Sequence, residues 1–175
     1  GSYMVAGITQ SYLMYFFTDI LIIPSAFVMM LMIVARVWDA LNDPMMGVIV
    51  DRTSTKYGKK RPYVLVGSFL MLVTTIVLFM PLTGAPTMFK MIFAAVSYII
   101  FGMAYTLTDV PAMGLMSVAT PNSDERASLL SFYVTVGSVG SLLPVGLLTI
   151  FRSFIPEKYV YFAMSIFVGI ITSAA

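Results

Sequence analysis

Six long apolar runs, separated by only a few polar residues each, dominate the chain: roughly Met4–Ile23, Ser25–Val50, Pro62–Pro81, Met88–Val118, Ala127–Phe151 and Tyr159–Ala175. A hydrocarbon layer ~30 Å thick takes about 20 helical residues to cross, and within it every peptide group must be paired inside its own segment or a closed barrel. Runs of this length predict six transmembrane helices. With 59% hydrophobic and 10% charged residues, the chain is excluded from the water-soluble class. The expected fold class is an all-α membrane protein. The short loops and the lack of any low-complexity linker make residues 1–175 one six-helix bundle.

There is no cysteine and no histidine, which removes disulfides, thiolate chemistry and the usual zinc ligands. No cofactor and no nucleic-acid partner are expected. The first run has no basic leader and no small-residue cleavage site, so it reads as a retained helix rather than a signal peptide. The chain opens at Gly1 without a methionine and stops inside an apolar run, as a piece of a longer protein would.

Basic residues set the orientation. Arg52, Lys56, Lys59, Lys60 and Arg61 follow the second run, which predicts a cytoplasmic loop. Counting crossings puts Asp124, Glu125 and Arg126 on the same side and Lys90, Arg152 and Lys158 on the other. Both ends of the bundle are then cytoplasmic, in a multi-pass protein of the cell membrane whose first partner is the lipid bilayer. Ser25, Pro62 and the pair Asn122 and Glu125 are candidate helix-start signals. In the fifth run, Gly137, Ser138, Gly140, Ser141 and Gly146 would permit close approach of a neighbouring helix. The third and sixth runs carry no charge and are expected to face lipid. Tyr15-x-x-Thr18-Asp19 recurs as Tyr105-x-x-Thr108-Asp109, a short match of the kind two related three-helix units would leave.

Charges inside the second run carry the functional signal. At 100° per residue, Arg36, Asp39 and Asp43 fall within about 60° of one helix face, and Gly47 continues the stripe. At ~1.5 Å per residue, Arg36 and Asp39 lie near mid-membrane. A charge there costs about 2.5–3.5 kcal/mol against lipid, so this face must look into protein or an aqueous cavity. The fourth run supplies a second stripe, Tyr98, Gly102, Tyr105 and Asp109, with Thr106 and Thr108 nearby. Pro111 leaves the Leu107 carbonyl without its helical donor. One arginine and three aspartates give a formal charge of about minus two, which suits a cation. A static Arg36–Asp39 pair that merely fixes helix packing is the competing reading. For Asp19, near the outer end of the first helix, an interfacial and a substrate role stand level.

The run R-x-W-D-A-x-N-D-P-x-x-G from Arg36 to Gly47, the Y-x-x-T-D of the first helix and the T-D-V-P of the fourth resemble the glycoside–pentoside–hexuronide:cation symporters. Gly47-x-x-x-Asp51-Arg52 with Gly58, Lys59, Lys60 and Arg61 is similar to the loop signature of the major facilitator superfamily, with a longer spacer. The resemblance covers nearly all of this chain but only the N-terminal half of a twelve-helix fold. It implies a cation-coupled symporter of a sugar or glycoside-like solute, working by alternating access between two six-helix halves, with the C-terminal half as a further partner. It also implies a cation site at Asp39, Asp43 and Thr106, and a solute pathway with Arg36, Asp109, Tyr105 and Asp19. Three positions depart from the family's melibiose-carrying pattern. Tyr3 replaces an aspartate, Met113 a tryptophan and Val134 an arginine. A galactoside is therefore not implied, and a divergent member carrying a non-sugar solute is the alternative.

The coupling ion is H+ or Na+. Asp39 and Asp43 are one turn apart and repel one another, which makes a proton available without special geometry. Sodium would need several oxygens, which the two carboxylates, Thr106 and a backbone carbonyl would supply. The missing acid at Tyr3 tips the reading toward protons. An intramembrane aspartyl protease also pairs aspartates, but neither its Y-D nor its G-x-G-D motif occurs, so no enzyme is expected. A channel or non-transporting scaffold is the remaining rival class.

Overall fold

The apolar runs fold as helices because membrane-depth peptide groups have no alternative partner. The computed structural model describes residues 2–53, 61–116 and 121–174. Within them lie six α-helices: α1 Ser2–Tyr15, α2 Ser25–Arg52, α3 Arg61–Leu78, α4 Thr87–Met116, α5 Ser123–Phe154 and α6 Glu157–Ala174. Three of them, over Ser25–Val50, Thr87–Met116 and Ser123–Phe154, are long and apolar enough to cross a membrane by length and composition. Together these features define an all-helical membrane protein.

The first run does not stay α-helical to its end. After Tyr15 the chain widens into a π-helical segment, Phe16–Ile20, with Leu21 N–H bonding the Phe16 carbonyl at 3.0 Å and Ile23 N–H the Phe17 carbonyl at 2.9 Å. Ile22 then takes φ 58°, a left-handed conformation rare for a β-branched residue, and the chain turns into Pro24 and α2. Lys90, expected among outer-side charges, is buried in the first turn of α4. Its Nζ donates to the Leu21 carbonyl at 3.0 Å, at the end of that turn. Around it sits an aromatic core: Phe16 lies 5.2 Å from Phe79 and 6.0 Å from Tyr161, ring centre to ring centre. On the same end, Glu157 Oε1 accepts from Tyr15 Oη at 3.0 Å and from Arg152 Nη2 at 3.3 Å, joining α1, α5 and α6.

The starts of the helices differ in how they are capped. Ser25 does not cap α2: it is the first helical residue, and Pro24 holds the cap position without a side-chain bond. Pro62 does sit in the first turn of α3, where its missing N–H is harmless. Asn122 caps α5, its Oδ1 accepting from Asp124 N–H at 3.0 Å.

Small residues set the tightest crossing, between α1 and α5. A Cβ on Gly7 would overlap the backbone carbonyl of Ser141, one on Gly137 would overlap the ring of Tyr3, and one on Gly140 would touch Met4. Gly146 meets nothing within 4 Å and has no part in this crossing. Helices α3 and α6, charged only in their first turns, pack on each other, Leu72 against Gly169. Elsewhere α2 and α5 expose large apolar side chains in long stripes, such as Met30, Ile33, Val37 and Leu41, and Phe132, Val139 and Leu142. Apolar surface on this scale belongs to lipid or to a further protein partner.

Candidate functional site

The two polar stripes meet. Arg36, Asp39 and Asp43 of α2 and Tyr98, Gly102 and Tyr105 of α4 line one cleft of ≈ 260 Å³, with Thr106 at its edge and α1 closing a third side. Gly102 is what lets the two helices come this close at the acids. A Cβ there would lie 3.2 Å from Asp39 Oδ1, so a bare glycine gives that carboxylate room against α4. One turn on, Thr106 Oγ1 donates to Asp43 Oδ1 at 2.8 Å, a charge-assisted bond tying the stripes together. Pro44, immediately after Asp43, cannot donate to the Ala40 carbonyl, so a backbone oxygen of α2 also lacks its helical partner in this region.

Arg36 does not neutralise this cluster by direct pairing. Arg152–Glu157, where α5 meets α6, is an ion pair in contact, whereas Arg36 makes none with Asp39 or Asp43. The cleft thus presents a guanidinium and two carboxylates separately, on a wall of aromatic, small and neutral polar side chains, Gln10 among them.

The remaining sequence candidates fall in other places. Asp109 lies on α4 beyond Tyr105 and Thr106 and turns toward α5, where Tyr133 Oη donates to its Oδ1 at 3.4 Å. Tyr3 stands edge-on to Tyr133, ring centres 5.3 Å apart at 77°. Asp109 therefore belongs to a second polar cluster of α1, α4 and α5. Asp19 is exposed in the π-helical segment, and its Oδ2 accepts from Thr18 Oγ1 at 2.6 Å. It is not part of the Asp39 cleft. The two Y-x-x-T-D matches also differ in setting: Thr108 is buried against the Ala104 carbonyl, whereas Thr18 and Asp19 sit at the chain turn.

For the loop signature, Gly47 and Arg52 lie in the last turns of α2, Arg52 exposed; Asp51 and Arg61 are helical positions in α2 and α3. Gly58, Lys59 and Lys60 lie outside the described residues. Near this end Thr53 Oγ1 and Tyr63 Oη share a hydrogen bond of 2.6 Å, holding the end of α2 to the start of α3.

Several cleft residues carry no charge pattern and so escape sequence reading. Thr9 and Gln10 of α1 and Trp38 of α2 line it. Asn42 is 6% exposed, and its amide nitrogen has no hydrogen-bond partner among the described residues. Asn42 does not line the cleft but lies inside the run R-x-W-D-A-x-N-D-P, a signal by which it could have been found.

A helical membrane bundle whose mid-depth cleft holds unpaired charges is built to handle polar solutes or ions, and this is the transporter class of membrane protein. The MFS/sugar transport protein family model matches residues 2–175, and the chain belongs to that family. It is a family of transporters rather than enzymes. The inner membrane symporter YicJ of Escherichia coli (strain K12) is 33% identical over 147 residues, which cover 82% of this chain and 31% of YicJ. The putative glycoside/cation symporter YagG of the same organism is 35% identical over 140 residues, 79% of this chain and 30% of YagG. The isoprimeverose transporter of Lactiplantibacillus pentosus is 32% identical over 137 residues, 78% of this chain and 28% of that protein. These matches uphold the resemblance to glycoside and cation symporters. The chain spans about a third of the length of the curated relatives it matches.

Proposed function

We propose that this chain is the N-terminal six-helix half of a twelve-helix symporter that uses a cation gradient to accumulate an uncharged sugar or glycoside. The observation that carries the reading is the Asp39–Asp43–Thr106 cluster, in which two acids one turn apart on α2 line one cleft and the second accepts a hydrogen bond from an α4 hydroxyl. A scaffold has no use for acids held apart from the nearby arginine, because unpaired charges at this depth are destabilising. The printed names of relatives, a glycoside/cation symporter and an isoprimeverose transporter, support the same solute class and coupling mode.

In this reading the cation binds at Asp39 and Asp43, with Thr106 orienting the second carboxylate. Arg36 moderates their charge, and Tyr105 and Asp109 continue the pathway toward α5. Asp19 stands at its outer approach. The basic end of α2 and the loop to α3 face the cytoplasm, as do both ends of the bundle. The C-terminal half supplies the opposite wall of the cleft, and the exposed apolar stripes of α2 and α5 are the surfaces left for it and for lipid.

A proton is the coupling ion this site favours. Two carboxylates one turn apart need only share a proton, whereas sodium takes several oxygens in a shell. Sodium coupling through Asp39, Asp43, Thr106 and a backbone carbonyl is the second reading. The test is ion flux during solute uptake by the full-length protein in liposomes. Uptake that alkalinises the medium and persists without sodium supports protons; sodium entry with no proton flux supports the alternative. Solute-independent behaviour of both ions would remove the symport reading altogether.

A further inference from the structure

The turn from α1 into α2 is built against its own backbone preferences. A helix commonly ends on a left-handed residue, and glycine usually fills that position because a Cβ is disfavoured there. Here the β-branched Ile22 holds it at φ 58°, and since the side chain is 73% exposed, burial does not offset the strain. Its neighbours Leu21 and Ile23 are buried. The backbone bonds are also one residue wider than an α-helical end, Leu21 N–H reaching back to Phe16 and Ile23 N–H to Phe17. To close as an α-helix, Leu21 N–H would take the Phe17 carbonyl, which Ile23 N–H already holds, so the two windings exclude one another.

One side chain from outside the turn holds it in place. Lys90, in the first turn of α4 and 7% exposed, donates from Nζ to the Leu21 carbonyl at 3.0 Å, and among the described residues no carboxylate is in ion-pair contact with it. Lysine is rarely buried to this degree, and here its partner is the residue immediately before the strained one. The α1 side of the turn is pinned independently, by Gly7 against the Ser141 backbone and by the Tyr15 Oη bond to Glu157. The α2 side is not. Helix α2 packs mainly on α4 and otherwise meets the π-helical segment. Slack released at the turn therefore falls on α2, the helix that carries Asp39 and Asp43.

We propose that Lys90 is a positioning residue whose bond to the Leu21 carbonyl clasps a strained turn and so keeps α2 in register with α4. Strained residues persist only where surrounding contacts hold them, and they collect at switch regions for that reason. Without the clasp, Ile22 leaves the left-handed region and the π-helical winding tightens to α. Rewinding by one residue draws α2 along its axis on the order of 1.5 Å, the helical rise per residue. A shift of that size carries the 2.8 Å Thr106–Asp43 bond to or past the limit of hydrogen-bond distance. The outer turn is thereby tied to the acids through one rigid helix. The consequence for the cation rests on the transport reading above, whereas the clasp itself does not.

The experiment uses the full-length protein, in detergent for exchange and in liposomes for uptake. Lys90→Met keeps the apolar stem and removes the donor, and Lys90→Arg keeps a donor. Hydrogen exchange over residues 16–24, read by mass spectrometry, should run about tenfold faster in Lys90→Met than in the parent, the scale of one left-handed residue's strain, and near the parent rate in Lys90→Arg. Adding Ile22→Gly to Lys90→Met should restore slow exchange, because glycine accepts the left-handed position. With isoprimeverose and methyl β-D-glucoside as solute probes, Lys90→Met should raise the half-saturating concentration of the activating ion, H+ or Na+, by about threefold or more, in proportion to the molecules whose α2 is out of register. Parent-rate exchange in Lys90→Met, or fast exchange that Ile22→Gly leaves in place, would overturn the clasp. Fast exchange with native ion activation would overturn the positioning of the acids. If Lys90→Met does not fold, Ile22→Gly alone decides: slower exchange than the parent supports the strained turn, and unchanged or faster exchange overturns it. Absence of ion-activated uptake of both probes by the parent would overturn the transport reading, and the exchange result would still decide the clasp.

Discussion

Thr106 Oγ1 on α4 donates to Asp43 Oδ1 on α2 across 2.8 Å, the bond by which the two polar stripes of this bundle touch. The hydroxyl has one proton, and giving it to Asp43 orients the carboxylate. Thr106 is 3% exposed while Asp43 is exposed, so the threonine side of the contact is fixed by packing and the carboxylate stays open to the cleft. Thr106→Val, which preserves shape, should raise the half-saturating cation concentration by about tenfold or more, the scale of a hydrogen bond to a charged group. Thr106→Ser should stay close to the native value. A cation-activation curve for each variant checks this, and a valine variant with native affinity would reduce Thr106 to packing.

Gly102 provides a steric test of the same cleft. A Cβ at this position would crowd Asp39 Oδ1 at 3.2 Å, and larger side chains would displace the carboxylate. Gly102→Ala should weaken cation activation slightly and Gly102→Val strongly, with the protein still folded. Equal activity in both variants would show that Asp39 has room elsewhere.

The α1–α5 crossing predicts a contrast in stability. Gly7→Ala inserts a methyl group against the Ser141 backbone, which cannot swing aside as a side chain would, and should destabilise by about 1–3 kcal/mol. Gly146→Ala, with open space around it, should fall within about 0.5 kcal/mol of the parent. Thermal unfolding of the full-length protein in detergent separates the two; similar midpoints would mean that the crossing is looser than the close approach at Gly7 implies.

Topology can be tested from residues at opposite ends of the bundle. Arg52 and Pro86 are both exposed. In a protein otherwise free of reactive cysteine, Arg52→Cys should react with impermeant thiol reagents only from the cytoplasmic side and Pro86→Cys only from outside. Reversed labelling would invert the proposed orientation.

Much of this arrangement was legible before any coordinates, because a membrane solvent leaves a helix few alternatives. Apolar run length located the helices, and 100° periodicity placed Arg36, Asp39 and Asp43 on the face that meets Tyr98 and Thr106. The π-helical end of α1 was not legible. Phe16 to Ile20 continue the apolar pattern unbroken, and the widening comes from the turn into Pro24 and the packing of Phe16 on Phe79 and Tyr161. Lys90 was read as a surface charge because sequence cannot reveal that the Leu21 carbonyl lies within its reach. Gln10 was passed over for a similar reason. A single neutral amide in an apolar run has no periodic partner, and only the meeting of α1, α2 and α4 gives it a neighbourhood.

The most direct test of the central claim concerns Asp39. Replacing its carboxylate with a carboxamide, Asp39→Asn, removes the cation's charge partner but leaves the cleft's shape. In the full-length protein, uptake against a solute gradient driven by an imposed cation gradient should be lost, while exchange of internal for external solute, which needs no net cation movement, continues. Accumulation at the parent level in the Asp39→Asn variant would contradict the account and leave the acid a structural residue.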